Sequence, residues 1–271
     1  RIVNSYKDED VNYLELEYYA YEDLGTHMVY GQMNDLVWEK LFNNIEKYFE
    51  TYKQYEHIED VENNSIKMYI EKTEVEYKKL IDNFVFFNLF EKNDEIIFNN
   101  EKIISFESIW PKIKNYILSN LIPKKLYFFH GDFCFNNILY GINKKTNDVI
   151  FKFIDPRGKF GDIKFYGDLY YDLAKLSHSS GGGYEYFIND EFIITQKDKN
   201  FQLEFSNNNK DIINEKFLEF ISKNSFDINK IRIIEGCIFI GMCARHYDNL
   251  ERQKAMLLTG LKILNDVYKK I

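Results

Sequence analysis

A short polar segment set between apolar runs most constrains what this chain can fold into. Residues 128–141 read FFHGDFCFNNILYG, with aromatic and aliphatic residues on both sides of the polar ones. The polar residues are His130, Gly131, Asp132, Asn136 and Asn137. Polar groups among core-type residues cost free energy unless they are hydrogen-bonded or take part in chemistry. The fold must therefore give these side chains partners or a function.

Composition narrows the class of protein around this segment. Of 271 residues, 45% are apolar and 17% aromatic, which is typical of one large or two modest globular domains with a buried core. A net charge of −8 argues against a nucleic-acid or anionic-membrane partner. The chain has three widely spaced cysteines and neither a long apolar run nor a visible signal peptide. We therefore expect a cytoplasmic protein without membrane insertion.

Hydrophobic patterning predicts an α+β fold. Alternating or short apolar runs predict strands over residues 1–6, 12–21 and 125–129, hairpins over 95–106 and 138–154, and short strands over 191–195 and 201–205. Helical spacing, including Leu36, Leu41, Ile45 and Phe49, predicts helices from Gly25 to about Tyr55, over 65–90, 105–120 and 169–177, and in three segments from 211 to about 269. Few strands followed by many helices indicate a fold that is mostly helical toward its C-terminus.

The polar segment has the spacing of a phosphotransfer site. His130, Gly131 and Asp132 are followed five positions later by Asn137, and FIDPRG then places Asp155 directly after an apolar strand. Phosphoryl transfer from a nucleotide needs one carboxylate at the acceptor hydroxyl, and it needs amide and carboxylate oxygens that hold Mg²⁺ on the phosphates. A loop followed by a hairpin can bring Asp132, Asn137 and Asp155 into one site.

These motifs resemble those of the aminoglycoside phosphotransferase and choline kinase family, which has a protein-kinase-like fold. The resemblance implies that Asp132 is the catalytic base and that Asn137 and Asp155 are Mg²⁺ ligands. It implies ATP as the phosphate donor and a small-molecule hydroxyl compound as the acceptor. GDLYYDLAKL resembles a later family segment, in which Asp172 braces the catalytic loop and Asp168 helps to fix the loop before it. The role implied for His130 is largely structural.

The resemblance extends toward both ends of the chain. YLELEYYAYEDL is similar to the last N-lobe strand and hinge, so the backbone at Glu17, Tyr18, Tyr19 and Ala20 is expected to meet adenine. Residues 1–24 would then be a remnant of the N-lobe, and 25–271 the helical C-lobe. HSSGGGYEYF and RHYDNLERQKAMLLTGLKIL resemble the branch encoded with bacterial capsule and surface-polysaccharide genes.

Two departures from the family pattern bear on activity. The metal-binding strand continues as DPRG, which places Arg157 where it could reach a phosphate or an acidic substrate. The sequence contains neither a G-x-G-x-x-G turn nor a Walker A motif, and the family's phosphate-pairing Lys would lie before Arg1. We interpret this as removal of the N-lobe. We expect weak ATP affinity and very low turnover from the chain as it stands.

Two other functions remain open at this stage. A non-catalytic nucleotide-binding or regulatory kinase-like module would suit the missing Lys and glycine-rich turn. A metal-dependent phosphohydrolase would suit the HGD sequence, but it needs an upstream D-x-H and a downstream G-N-H motif, which the sequence lacks. The identity of the acceptor and the oligomeric state cannot be read from the sequence.

Overall fold

The structure is a computed structural model that describes residues 2–7, 12–31, 34–83, 95–143, 145–146 and 148–271. It confirms the α+β class: helices make up most of the regular structure, and the strands form several small sheets. The helices are α1 (Leu24–Tyr30), α2 (Asp35–Tyr52), α3 (Val61–Ile66), α4 (Lys72–Asn83), α5 (Phe106–Tyr116), α6 (Leu169–Ser180), α7 (Tyr184–Ile188), α8 (Asn209–Lys223), α9 (Ile228–Cys243) and α10 (Leu250–Tyr268). Two π-helical segments, Lys67–Glu71 and Ile117–Leu121, continue α3 and α5.

The strands are short and pair mostly with near neighbours in the chain. They are β1 (Ile2–Lys7), β2 (Asn12–Leu16), β3 (Glu22–Asp23), β4 (Glu56–His57), β5 (Glu95–Phe98), β6 (Glu101–Ile104), β7 (Leu126–Phe128), β8 (Ile138–Ile142), β9 (Val149–Phe153), β10 (Lys159–Phe160), β11 (Ile163–Lys164), β12 (Tyr166–Gly167), β13 (Phe192–Lys197) and β14 (Asn200–Phe205). The sheet orders are β1-β2, β3-β8-β9, β12-β7-β4, β13-β14-β5-β6 and β10-β11. Only the pair β14 and β5 is parallel within these sheets of the described chain.

Most predicted elements are present, with small shifts at their ends. The Asn99-Asn100 turn joins β5 to β6, and both residues have positive φ (46° and 64°), as a tight hairpin turn requires. The predicted strand over 12–21 ends at Leu16. The predicted helix over 65–90 is interrupted by the π-helical segment Lys67–Glu71, and α4 then extends it to Asn83. Residues 84–90 of that helix lie outside the described residues.

Two sequence predictions in this part of the chain were wrong. The helix predicted from Gly25 to about Tyr55 is two helices, α1 and α2. Leu36, whose spacing helped to predict it, is 49% exposed at the first turn of α2, while Leu41, Ile45 and Phe49 are buried. The sequence predicted no helix between 177 and the strand over 191–195, but this stretch contains the short helix α7, which begins after Gly183 in the left-handed conformation (φ 73°). A five-residue helix is too short for hydrophobic periodicity to reveal.

The core is built around three helices of the C-terminal half. α9 packs against both α6 and α10, and nearly all of its residues from Ile231 to Cys243 are buried. Gly236 and Gly260 let α9 and α10 approach closely, because a Cβ on either would lie 3.2 Å from the carbonyl oxygen of the other. α6 is buried along almost its whole length, although it carries several polar residues. Three of them, Asp172, Lys175 and Ser179, contact the segment with which the sequence analysis began.

Candidate functional site

Three parts of the chain meet around the polar segment. The loop from Phe129 to the 3-10 turn at Phe135–Asn137 joins β7 to β8. The β8–β9 hairpin returns to Ile154 and Asp155, beside the start of β8. Helix α6 lies under the loop. Residues far apart in sequence therefore face one another at this place.

His130 ties the loop to the end of β9. Its Nδ1 accepts the N–H of Asp132 (3.3 Å), so Nε2 carries the ring proton and donates to the Ile154 carbonyl (2.8 Å). The His130 carbonyl accepts the N–H of Arg157 (2.7 Å). Burial lowers the pKa of His130, which keeps the ring neutral in this role. His130 thus acts as a bridge that places Asp132 next to the turn carrying Asp155.

Asn137 and Asp155 are brought together by the hairpin. The Ile154 N–H donates to the Asn137 carbonyl (3.0 Å), and the Asn137 side-chain Nδ2 donates to the Asp132 carbonyl (2.8 Å). This bond fixes the Asn137 amide group, so that its Oδ1 oxygen lies on the side away from the Asp132 carbonyl. Asp155 is exposed and has φ 55°, a left-handed conformation that costs free energy for a residue with a Cβ. The backbones of Asp132, Asn137 and Asp155 therefore lie close together. Of the three, only Asp132 lines the cavity described below, so their joint role in one site stays a prediction.

Helix α6 presents a polar stripe to the loop at positions i, i+3 and i+7. The Asp172 carboxylate accepts the N–H groups of His130 (2.8 Å) and Gly131 (2.6 Å). The Ser179 hydroxyl accepts the N–H of Phe135 (3.1 Å) and donates to Glu185 of α7 (2.6 Å). The bonds to the N–H groups of His130, Gly131 and Phe135 satisfy buried backbone donors that would otherwise be unpaired. The stripe thus holds the loop at both its beginning and its end.

The middle residue of the stripe, Lys175, pairs with Asp132. Its Nζ lies 2.8 Å from Oδ1, and the Lys175 side chain is 8% exposed whereas that of Asp132 is 41% exposed. Burial alone would raise the pKa of Asp132, but Lys175, Arg157 and His130 lower it below its ordinary value. Burial would lower the pKa of Lys175, and the Asp132 carboxylate raises it instead. The pair is therefore ionised at neutral pH.

Two further buried residues shape the loop. Gly131 has φ 79°, and a Cβ there would lie 2.9 Å from both Arg157 and the ring of Phe129, so only glycine fits. Asp168 caps α6 by accepting the Tyr170 N–H (2.9 Å), and it also accepts the hydroxyl of Tyr69 (2.7 Å). Burial raises the pKa of Asp168 above its ordinary value. Asp168 holds the start of the helix that carries Asp172 and Lys175.

A cavity of about 130 Å³ opens beside Asp132. The residues that line it are Met68, Tyr69, Lys72, Thr73, Asp132, Cys134, Arg157, Tyr171, Lys175, Tyr184, Ile234, Cys237, Ile238, Gly241, Met242 and Arg245. Burial raises the pKa of Cys134 and of Cys237 to about 12, so neither thiol is ionised at neutral pH. The cavity therefore offers a carboxylate and several cations, but no thiolate nucleophile.

The residues expected to meet adenine lie outside this cavity. Glu17, Tyr18 and Ala20 are exposed in the connection from β2 to β3. Tyr19 lies under the ammonium of Lys152 on β9 (4.9 Å), so the connection runs along the β8–β9 hairpin. β3, which follows this connection, also contacts the hairpin, since it pairs with β8. The connection thus runs along the hairpin that Asn137 precedes and Asp155 follows.

Asn137 and Asp155 carry oxygen atoms of the kind that bind Mg²⁺. Within the described residues, no three His, Cys, Asp or Glu side chains cluster as a metal site. Mg²⁺ commonly uses one or two protein oxygens and completes its shell with water and substrate phosphates. The Oδ1 of Asn137 and the exposed carboxylate of Asp155 supply oxygens of the kind that such a site needs.

Sequence reasoning missed Lys72, Lys175, Ser179 and Arg245. Lys175 and Ser179 had a readable signal, because they follow Asp172 at helical spacing, three and seven positions later. Lys72 and Arg245 had none, since they come from α4 and from the residues after α9, far from the motif in sequence. Their place at the cavity depends on helix packing.

The comparisons with known proteins leave this site to be interpreted from its own geometry. Comparison of the chain with protein-family models, with curated proteins and with solved structures found no significant match. Among the described residues, no helix is both long and apolar enough to cross a lipid bilayer.

Proposed function

We propose that this protein is an ATP-dependent phosphotransferase that moves the γ-phosphate to a hydroxyl group of a small molecule. The observation that carries the proposal is the position of Asp132. Its carboxylate is ionised, half-exposed at a cavity, and held within a loop that His130 ties to the turn carrying Asp155. A carboxylate with this support can orient a hydroxyl and accept its proton.

In the proposed reaction the acceptor oxygen attacks the γ-phosphorus. The bond between that phosphorus and the β,γ-bridging oxygen breaks, the acceptor proton passes to Asp132, and the products are ADP and a phosphate ester. Asn137 and Asp155 would hold Mg²⁺, which neutralises phosphate charge when it is bound. The kinase-like fold, with residues 1–24 as its hinge side, belongs to the same proposal. It is supported by the pairing of β3 with β8.

The proposal is tested by a screen for phosphate transfer. The full-length gene product that contains this chain is incubated with ATP, Mg²⁺ and a broad panel of neutral, cationic and anionic alcohols, and ADP release is followed together with a phosphate ester in ³¹P spectra. We expect an acceptor-dependent ester. ADP release that never depends on an acceptor, or nucleotide binding without any turnover, would favour the regulatory kinase-like module instead.

A further inference from the structure

The cavity beside Asp132 is strongly cationic in a protein that carries a net charge of −8. Lys72, Arg157, Lys175 and Arg245 line it, and Asp132 is the one carboxylate among its lining residues in the described chain. They come from the start of α4, the turn after β9, the middle of α6 and the residues after α9. Separate elements therefore bring positive charge to one place.

Most of this positive charge has no carboxylate counterion among the described residues. Lys175 is neutralised by Asp132 at 2.8 Å. Within the described residues, no carboxylate lies within ion-pair distance of Lys72, Arg157 or Arg245. Lys72 and Arg157 are half-buried, whereas Arg245 is exposed. Unpaired cations at a partly desolvated cavity attract anions and raise their local concentration.

The hydrogen bonds and the pKa of Tyr171 reflect the positive charge of the side chains around it. Its hydroxyl accepts hydrogen bonds from Lys72 (3.2 Å) and Arg157 (3.4 Å). Burial raises the pKa of a phenol, yet the charges of Lys72, Lys175 and Arg157 together lower that of Tyr171 below its ordinary value. The same cations would stabilise a negatively charged ligand group in the cavity.

We infer that the acceptor is an anionic alcohol, one that carries a carboxylate or a phosphate group as well as the hydroxyl that receives the γ-phosphate. This inference rests on the proposed function for the role of the hydroxyl. The hydroxyl would lie at Asp132, and the anionic group would bind Lys72, with Arg245 at the exposed side. A cationic acceptor such as choline or an aminoglycoside would face repulsion from the same side chains.

The γ-phosphate of the nucleotide is an alternative ligand for these cations. The test therefore uses the two cations that best distinguish an anionic acceptor from the γ-phosphate. Arg157 belongs to the turn that carries Asp155, and it acts on the Asp132 carboxylate, so it would serve either ligand. Lys72 and Arg245 come from the helical side of the cavity. Lys72→Gln and Arg245→Gln are therefore the test variants. Lys78→Gln, on the exposed side of α4, is the matched control.

Binding is measured by calorimetry without nucleotide, at matched ionic strength, with glycerol 3-phosphate, gluconate, glycerol and choline as probes. We expect one or both anions to bind at least about tenfold more tightly than glycerol or choline. Lys72→Gln should weaken anion binding about tenfold and Arg245→Gln about threefold, while Lys78→Gln binds as the wild type does. The tighter of the two anions would identify phosphate or carboxylate as the preferred group.

Failure of this inference can be told apart from failure of the proposed function. Equal binding of choline and the anions, no anion binding, or anion binding that Lys72→Gln leaves intact would overturn the anionic acceptor. Phosphate transfer to a neutral or cationic alcohol, unchanged in Lys72→Gln, would also overturn it while supporting the phosphotransferase. Anion binding that depends on Lys72, in a protein that transfers no phosphate, would support the anion site and overturn the phosphotransferase.

Discussion

The ammonium of Lys175 lies 2.8 Å from the Oδ1 oxygen of Asp132, between two other residues of α6 that hold the same loop. The buried lysine keeps the half-exposed carboxylate ionised and limits where it can point. In return the carboxylate supplies the counterion that a buried ammonium needs. The proposed base is therefore positioned by a helix as well as by its own loop.

Replacing Lys175 should change the pH dependence of the proposed reaction. Because Lys175 holds the pKa of Asp132 below its ordinary value, Lys175→Gln should raise that pKa. The acidic limb of the kcat/KM profile should then move to higher pH. The exposed Lys223, which pairs with Glu46, offers Lys223→Gln as a control with the same charge change. An acidic limb that stays in place in Lys175→Gln would show that this pair does not tune the reaction.

Asp172 should matter for stability more than any exposed aspartate. Asp172→Ala leaves two buried N–H groups, those of His130 and Gly131, without an acceptor, and should cost about 3–5 kcal/mol in the free energy of unfolding. Asp172→Asn keeps one acceptor and should cost about 2 kcal/mol. Urea denaturation at pH 8 measures both, with Asp211→Asn as an exposed control expected within about 0.5 kcal/mol of the wild type. A neutral Asp172→Ala variant would contradict the bracing role.

Glu185 should make the stability of the protein depend on pH. Burial raises the pKa of this fully buried carboxyl to about 7, and its Oε2 has no hydrogen-bond partner in the described structure. A raised pKa in the folded state gives stability that is fully present below the unfolded pKa and is lost as pH rises through the folded one. Between the ordinary pKa of 4.5 and a folded pKa of about 7, this loss is roughly 3 kcal/mol.

Glu185→Gln removes the ionisation and keeps the side-chain shape. The variant should therefore gain stability relative to the wild type as pH rises from 5 to 8, by up to about 3 kcal/mol. Urea unfolding at several pH values across this range measures the difference. A stability difference between Glu185→Gln and the wild type that is independent of pH would rule out this origin.

Asp155 should affect nucleotide binding through Mg²⁺. Asp155→Asn removes the charge of a proposed ligand, so Mg²⁺-dependent nucleotide affinity and turnover should weaken together, and excess Mg²⁺ should restore part of both. Asp162→Asn, on an exposed aspartate a few residues further on, is the control. Nucleotide titrations over a range of Mg²⁺ concentrations test this. An unchanged Mg²⁺ dependence in Asp155→Asn would remove Asp155 from the proposed metal site.

The sequence predicted this site where local spacing encodes it. The convergence of Asp132, Asn137 and Asp155 followed from a loop joined to a hairpin, because both are short-range features of the chain. The helix over 169–177 was readable from its apolar spacing, although it continues to Ser180. The roles implied for these residues by family resemblance remain proposals.

The rest of the cavity could not be predicted, because long-range packing builds it. Lys72 and Tyr171 are joined by a hydrogen bond across 99 positions in the sequence, and no local pattern predicts such a contact. The net charge of −8 also gave no sign that four cations and one carboxylate line this cavity. Net charge describes the whole surface and not one cavity.

The role of Asp132 as a general base is the central claim, and Asp132→Asn in the full-length gene product tests it most directly. Asparagine keeps the size of the side chain and an oxygen for Lys175, but it cannot accept the proton of the acceptor. Once the acceptor screen has supplied a substrate, kcat should fall by about 10²–10⁴-fold while the Kd for the Mg²⁺–nucleotide complex stays within about twofold of the wild-type value. A variant that transfers phosphate at the wild-type rate would contradict the account.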